Sequence, residues 1–315
     1  MISFDIDNFA DVPVHEPIFV EEILSFIKRE HSIIVDATTG EGGHSSKILE
    51  SAIRNLILLC LDADSDILSR ASSRLQKYRK GTVHFANDNF RNIKAVLSSH
   101  GIAGADFILA DLGISSYHYF ESQRGFSFND DALLDMRLDT SSGMPLYEVL
   151  PDMEEEEICD ILFRYADESY SKRIAKAIYT RRKSITRAKE LSVIVQEAKK
   201  GYRGKIHPAT KTFMAFRIYI NKELENLNSF MQAIPDCLNS GGRLIIISFH
   251  SVEDRIVKDF IRRYSFREKE NKFRPAPVNK SLGINLTKKP LRPCAKEVIS
   301  NPRARSARLR AFERL

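Results

Sequence analysis

The chain of 315 residues contains no tryptophan and only four cysteines, 14 glycines and 11 prolines. Glycine and proline are too sparse for a collagen-like or low-complexity chain. Cys60, Cys159, Cys237 and Cys294 lie far apart with no Cys-x-x-Cys pair, which argues against a disulfide framework and against a thiolate zinc site. The His-Glu-x-x-His motif is missing, and Pro293-Cys294 is followed by Ala295, Lys296 and Glu297 with no second cysteine three positions on. Zinc-peptidase and nucleobase-deaminase chemistry are therefore set aside, and no metal is expected. No apolar run approaches the ~18 to 20 residues of a membrane helix, so no membrane is expected as a partner. Asp5 and Asp7 stand where a secretory leader would carry basic and then apolar residues, so the expected compartment is the cytosol. The hydrophobic content, 43%, is enough for one large core or two smaller ones.

The net charge of +6 hides a strong asymmetry. Residues 255–315 hold 18 Lys and Arg against 5 Asp and Glu, so the rest of the chain is net acidic. Within 129–168 there are 13 acids and only Arg137 and Arg164, whereas 172–205 carries 12 basic residues against Glu190 and Glu197. One basic block could be a solvated helix face; two in one chain point toward a polyanion such as nucleic acid.

Apolar β-type runs alternate with helical patterns in the first third, the mark of βαβ units and a parallel sheet, so the class is α/β. Strands are expected at 32–37, 56–62, 82–86 and 106–111, with helices near 43–53, 64–79 and 90–100. Strand patterns vanish from about 129 to 205, where Pro151-Asp152 with four consecutive glutamates opens a helix and others follow near 169–183 and 187–200. This gives a core of 1–128 and 206–315 interrupted by a helical unit, 129–205. The α/β pattern resumes with a long helix through about 209–238, a Gly241-Gly242 stop, a strand at 243–248 and a helix from Val252. Residues 267–303 read as an extended loop and 306–314 as a closing strand. Pro17 and Pro208 read as helix starts.

The segment Asp36-Ala-Thr-Thr-Gly40-Glu-Gly42-Gly43-His44-Ser45 is a strand running into a glycine loop and a helix. Glycines there let backbone approach a ligand, and the helix start offers N–H groups to an anionic end. Asp62 ends the next strand, 22 residues after Gly40, where a carboxylate can accept hydrogen bonds from ribose hydroxyls. An adenosine-containing cofactor is expected. A carboxylate at Asp36 would repel a dinucleotide pyrophosphate and attract the amine and sulfonium of S-adenosylmethionine, so it favours the latter. Asp111, in Asp111-Leu-Gly-Ile-Ser-Ser116, is a third acid at the carboxyl edge of the sheet, where open α/β folds bind ligands.

With these residues in place, the segments DATTGEGGHS (36–45), LADLGISS (109–116), RGFSF (124–128), LLDMRLD (133–139), HPATKTFMAFRIYIN (207–221), GGRLIIISFHSVEDRIVK (241–258) and NPRARSARLR (301–310) resemble the MraW/RsmH family of methyltransferases. The resemblance runs in order from about His15 to Arg314. It implies a Rossmann-like class I methyltransferase core with an inserted helical domain. The activity it implies is transfer of a methyl group from S-adenosylmethionine to the N4 amine of a cytosine in small-subunit (16S) ribosomal RNA, with the small ribosomal subunit as partner. It further implies cofactor contacts at Gly42, Gly43, His44, Asp62, Phe90, Asp111 and the position of His118. The family usually shows Ser-Ser-Pro-Gln after its Asp-Leu-Gly-x; here Ser115-Ser116 precede Tyr117-His118, and a His can still hydrogen-bond to an adenine edge.

A cytosine amine is a poor nucleophile because its lone pair is delocalised into the ring, so acceptors for its N–H groups are required near the methyl. Asp111, the Leu112 carbonyl, Ser115 and Ser116 are candidates by position, and His250 could take up the proton. His250-Ser251-Val-Glu-Asp254 also fits a capping box in which Ser251 caps and Asp254 replies. Phe249, Phe126 and Tyr117 could stack on an extruded base or fill the core. Lys211, Arg217 and Lys222, with Arg303, Arg305, Arg308 and Arg310 in the tail, are candidates for phosphate contacts. Two competing readings are a nicotinamide-dependent oxidoreductase, disfavoured by Asp36 and the basic tail, and an RNA-binding assembly factor without catalysis, which would leave the glycine loop, Asp62 and Asp111 no reason to coexist.

Overall fold

The computed structural model describes residues 17–265 and 282–315. Its apolar runs pair into one seven-stranded sheet: β1 (Ile33–Asp36), β2 (Ile57–Asp62), β3 (Thr82–Asn87), β4 (Ala105–Asp111), β5 (Leu238–Ser248), β6 (Gly283–Asn285) and β7 (Arg308–Arg314). The order is β3-β2-β1-β4-β5-β7-β6; β1 to β5 are parallel, and β7 runs antiparallel to both its neighbours. Strands covered on both faces read as unbroken apolar runs, and successive side chains go to opposite layers. Val35, Leu59, Ile108 and Leu244 pack on helices Ile93–Ser99, Glu223–Cys237 and Ser251–Tyr264. Ile34, Leu58, Phe107 and Ile245 go the other way, toward helices Val20–Phe26 and Gly43–Ser51. Strand order reverses between β1 and β4, which opens a crevice at their carboxyl ends.

Residues 129–205 hold helices Leu146–Val149, Glu155–Ala166, Ser171–Arg181 and Ala188–Ala198 and no strand. They build a separate core around Leu162, Ile178 and Leu191, but that core also takes in Phe126, Phe213 and Phe216. Helix Thr210–Ile220 packs on Glu155–Ala166, so apolar packing carries the helical unit past both expected boundaries.

The long helix expected through 209–238 is two helices, Thr210–Ile220 and Glu223–Cys237. The chain breaks at Lys222, which is left-handed at φ 51°, after the Asn221 amide turns away to donate to Met136 O at 2.7 Å. Gly241-Gly242 does not stop this helix; it lies within β5, near a register shift against β4. The described part of the expected loop contains β6 and helix Ala295–Ser300, the latter capped by Cys294 and Glu297. A three-residue edge strand is too short to show periodicity, and residues 267–281 lie outside the described residues. Pro17 precedes the first helix by a turn, with left-handed Phe19 as its cap, while His15 and Glu16 are not described. Pro208 sits in the turn before Thr210.

The end of helix Ala188–Ala198 is fastened by a buried ion pair. Lys199 Nζ lies 3.0 Å from Glu168 Oε2, also donates to Pro208 O and stands 4.2 Å over the Tyr202 ring. Removing one charge strands the other away from water, so Glu168→Gln is expected to cost about 3 kcal/mol in urea unfolding. Adding Lys199→Met to Glu168→Gln is expected to recover most of that loss; a single variant as stable as the parent would contradict the pairing.

Candidate active site

The crevice opens into a cleft of about 1480 Å³, with the sheet's carboxyl edge as its floor and the helical unit and the 301–308 segment as its walls. Of the expected cofactor residues, Gly40, Gly43, His44, Asp62, Phe90, Asp111 and His118 line it together. Gly40 has φ 53° and its N–H donates to Asp62 Oδ2 at 2.8 Å, which ties the loop to the next strand end. Gly42 does not face the cleft. Its φ of 78° makes it the cap of helix Gly43–Ser51, and a Cβ there would meet Ala71 and Leu75 at 3.4 Å, so its freedom serves the turn and the packing. Phe90 stands edge-on to Phe230, with ring centroids 5.2 Å apart, and presents an apolar wall beyond Asp62.

Asp36 corrects the sequence reading. It is 1% exposed, lies below the cleft and takes Ser45 Oγ–H at 2.6 Å, so it cannot touch a cofactor directly. Its charge still bears on the site, because it stands close enough to raise the pKa of Asp111. Asp62 is held by N–H groups of Gly40 and Asp64, although burial raises its pKa. Asp111 is the least compensated of the three. Its backbone N–H donates to Thr38 Oγ1 at 2.6 Å, while its Oδ1 is buried with no hydrogen-bond partner among the described residues. Oδ2 lies 3.7 Å from His44 Nδ1. His44 Nε2 faces the Ile18 carbonyl at 2.9 Å and must donate to it, so a contact between Nδ1 and Asp111 needs one further proton shared by the pair. Burial pushes Asp111 up to about 6; His44 opposes the shift, while Asp36 and Glu253 add to it.

The His118 ring is already engaged. Nδ1 accepts from Ser115 N at 3.2 Å, which assigns the hydrogen to Nε2, 3.0 Å from Asp64 Oδ2. The ring expected to meet an adenine edge instead ties the 112–118 segment to Asp64 in the turn after β2. His250 reaches the cleft, but as the cap of helix Ser251–Tyr264: its ring accepts from Glu253 N, and the Glu253 carboxylate accepts in return from His250 N at 3.3 Å and from Phe249 N at 2.9 Å. The box is thus one residue earlier than Ser251 and Asp254. Nε2 of His250 lies 3.0 Å from Glu253 Oε1, though out of hydrogen-bonding alignment. Burial pushes Glu253 up, but His250 and Arg217 outweigh it and hold the carboxyl below its usual range.

The cationic candidates separate clearly. Arg217 lines the cleft but is largely buried and clamped by Glu223 at 2.8 and 2.9 Å, so its charge is already answered within the protein and it is disfavoured as a phosphate contact. Arg308 and Arg310, two apart on β7, both bind Asp254. Lys211 lines the cleft but donates to Asp167 O at the end of a helix. Arg303 lies over the Tyr119 ring at 4.0 Å and the Phe120 ring at 4.9 Å, and with exposed Arg305 it lines the cleft without an ion pair among the described residues. The basic residues of 172–205 do not line the cleft. Sequence reasoning passed over Thr38, Glu253, Asn221 and the Asp64–Arg124 pair; Asp64, two residues beyond Asp62, was the available clue. Tyr117 is a core residue, while Phe126, though buried, lines the cleft together with Phe249.

A family model described as the MraW methylase family matches residues 13–315. A protein named ribosomal RNA small subunit methyltransferase H from Pseudothermotoga lettingae is 39% identical over 306 residues, covering 96% of this chain and 99% of its own. Proteins of the same name from Syntrophus aciditrophicus and Endomicrobium trichonymphae are 42% and 40% identical, covering 96% and 95% of this chain and 98% of their own in both cases.

The raised Asp111 has a stability consequence. With its folded pKa at about 6, above the ordinary 3.8, its contribution to stability is fully present below pH 3.8 and lost as pH rises through about 6. Asp111→Asn is expected to stabilise the free protein by about 2 kcal/mol at pH 7.5, an advantage that fades toward pH 4 in urea unfolding. An Asn variant no more stable than the parent at pH 7.5 would contradict the desolvated setting.

Proposed function

Since the chain belongs to the MraW methylase family, we propose that it is an S-adenosylmethionine-dependent methyltransferase that modifies the N4 amine of a cytosine in small-subunit ribosomal RNA. The observation that carries this reading is the Asp111 carboxylate at the cleft floor, between the glycine loop and the 112–118 segment, with Oδ1 unpartnered among the described residues. The donor set fits the cofactor. Asp62 can take ribose hydroxyls, Phe90 can cover the adenine, and the N–H groups at the start of helix Gly43–Ser51 can take the carboxylate. Asp111, with Asp36 and Glu253 near enough to raise its pKa, makes an acidic floor suited to a cationic centre, which disfavours a dinucleotide pyrophosphate. When bound, S-adenosylmethionine supplies an electrophilic methyl group on a cationic sulfur.

The Asp111 carboxylate, partly exposed at the cleft floor, accepts one N–H of the target amine, which aligns the nitrogen and raises its electron density. The paired His44 supports the carboxylate and, with Asp111, receives the proton that leaves the nitrogen. His250 and Glu253 fix the turn after β5 in the facing wall. Arg303 and Arg305 take phosphates at the cleft wall, and Arg303 keeps its orientation through the two aromatic rings. The exposed basic residues of 172–205 contribute a second, outer RNA surface. An assembly factor without catalysis is disfavoured because such a role gives no use to a desolvated acid. The substrate makes the cytosol the place of action.

Purified protein, labelled S-adenosylmethionine and small subunits lacking the modification are expected to yield N4-methylcytidine on nucleoside analysis; labelled product on another atom would contradict the assignment. Asp62→Ala is expected to weaken S-adenosylhomocysteine binding by about 1.5 to 3 kcal/mol in calorimetry. Arg303→Glu with Arg305→Glu is expected to lower subunit affinity and flatten its log–log salt slope by about 0.7 to 0.9 per lost phosphate contact, leaving S-adenosylhomocysteine affinity intact. A slope equal to the parent's would remove these residues from the RNA interface.

A further inference from the structure

The cofactor-side wall and the opposite lip of the cleft are joined through one side chain, Arg124. Its Nη1 donates to Asp64 Oδ2 at 2.7 Å and to Leu138 O at 2.9 Å, and its Nη2 donates to Asp66 Oδ2 at 2.6 Å. Asp64 belongs to the cofactor wall: its N–H is held by Asp62 Oδ1 at 3.0 Å, and its carboxylate faces His118. Leu138 belongs to the far lip. Its carbonyl is gripped by Arg124 and its N–H by Asn221 Oδ1 at 2.8 Å, so the residue is held from both sides. The following turn is closed by Arg137, which donates to Thr140 O and Gly143 O and pairs with Asp135. Leu138, Asp139, Ser141, Ser142 and Met144 of this turn face the cleft.

Two further observations mark the junction as built rather than incidental. Arg124 O accepts the N–H of Met136, a buried residue in the left-handed region at φ 62°. Such a conformation costs about 1 to 2 kcal/mol outside glycine and persists where the surroundings over-determine it. In addition, Arg124 is 9% exposed and answers two carboxylates and a carbonyl in three directions, where a simple ion pair needs one. Only a planar guanidinium fork reaches all three; the ammonium of lysine is a single point.

We propose that Arg124 is a positioning residue for methyl transfer: it fixes the 137–144 turn relative to the cofactor wall, so that the target base is held over Asp111 when the cofactor is in place. The proposal rests on the methyltransferase reading. Arg124 touches neither reactant. Cofactor affinity does not depend on it, because the backbone bonds that hold Asp62 come from Gly40 and Asp64 and survive its loss. The rate of transfer from the ternary complex does depend on it, because the turn then loses its register.

The test compares the parent, Arg124→Lys and Asp66→Asn in three measurements: thermal unfolding, calorimetry with S-adenosylhomocysteine, and single-turnover methylation of saturating small subunits. Arg124→Lys keeps the charge, and is expected to bind S-adenosylhomocysteine within threefold of the parent while transferring methyl at least tenfold more slowly. Asp66→Asn removes the charge that strengthens one arm of the fork, at a residue outside the cleft lining, and is expected to fold like the parent and slow transfer about threefold, again without change in binding. Turnover equal to the parent in both variants would overturn the proposal. Cofactor affinity falling in parallel with turnover would also overturn it, because that is what a merely structural pillar gives. If Arg124→Lys does not fold, Asp66→Asn decides alone. Failure of the parent itself to methylate the subunits would instead sink the methyltransferase reading, so the two failures are told apart.

Discussion

Keeping carboxylates ionised at the dry end of a parallel sheet is the constraint on which the rest of the structure depends. β1, β2 and β4 all end in aspartate, and burial raises the pKa of each. Each is handled differently. Asp36 is satisfied by Ser45 and turned away from the cleft; Asp62 is clothed in backbone N–H groups; Asp111 is left with one bare oxygen. That gradient from satisfied to unsatisfied is the chemical content of the site. The bare oxygen stands at the switch point of the sheet, beside the glycine loop.

The helical unit completes what the sheet begins. A sheet edge alone offers a floor, and a base taken out of an RNA fold needs a second wall to hold it. That wall is made by residues 126–144 and helix Thr210–Ile220, packed into a core of their own. The two walls are joined by Arg124, between Asp64 and Leu138; Asn221 binds Met136 and Leu138 within the second wall, and His118 ties Ser115 to Asp64 on the sheet side. Hydrogen-bonded junctions of this kind set distance and angle more tightly than apolar contact does, which suits a reaction that requires in-line geometry.

Much of this was legible from residue order. Unbroken apolar runs ending in aspartate gave the parallel strands and the acids at their tips, and Gly40 to Gly43 marked the loop. Polarity alone, however, does not reveal direction. Asp36 and Asp111 look alike in sequence, but Ser45 donates to the first, whereas the second has only His44 at 3.7 Å from Oδ2 and no hydrogen bond to Oδ1 among the described residues. Arg217 and Arg303 both read as basic surface, yet Glu223 stands six residues beyond the first and no acid pairs with the second among the described residues. The helix break at Lys222 was hidden because apolar spacing continues across it, and the Asn221 amide that forces the turn acts through tertiary bonds to Met136 and Leu138. Capping by His250 in place of Ser251 was missed for a similar reason: a histidine ring reaches the third N–H as a serine does, but it is rarely counted among caps.

The central claim is that Asp111 is a desolvated anion set to meet a cationic methyl donor. The direct measurement is calorimetric affinity for S-adenosylmethionine and for S-adenosylhomocysteine, which differ by the methyl group and the positive charge, between pH 5 and pH 8. If the claim holds, the preference for the charged ligand is largest above pH 7, shrinks as pH falls through about 6, and is much reduced at every pH in Asp111→Asn. A ratio of the two affinities that is flat across this range and unchanged in the variant would contradict it.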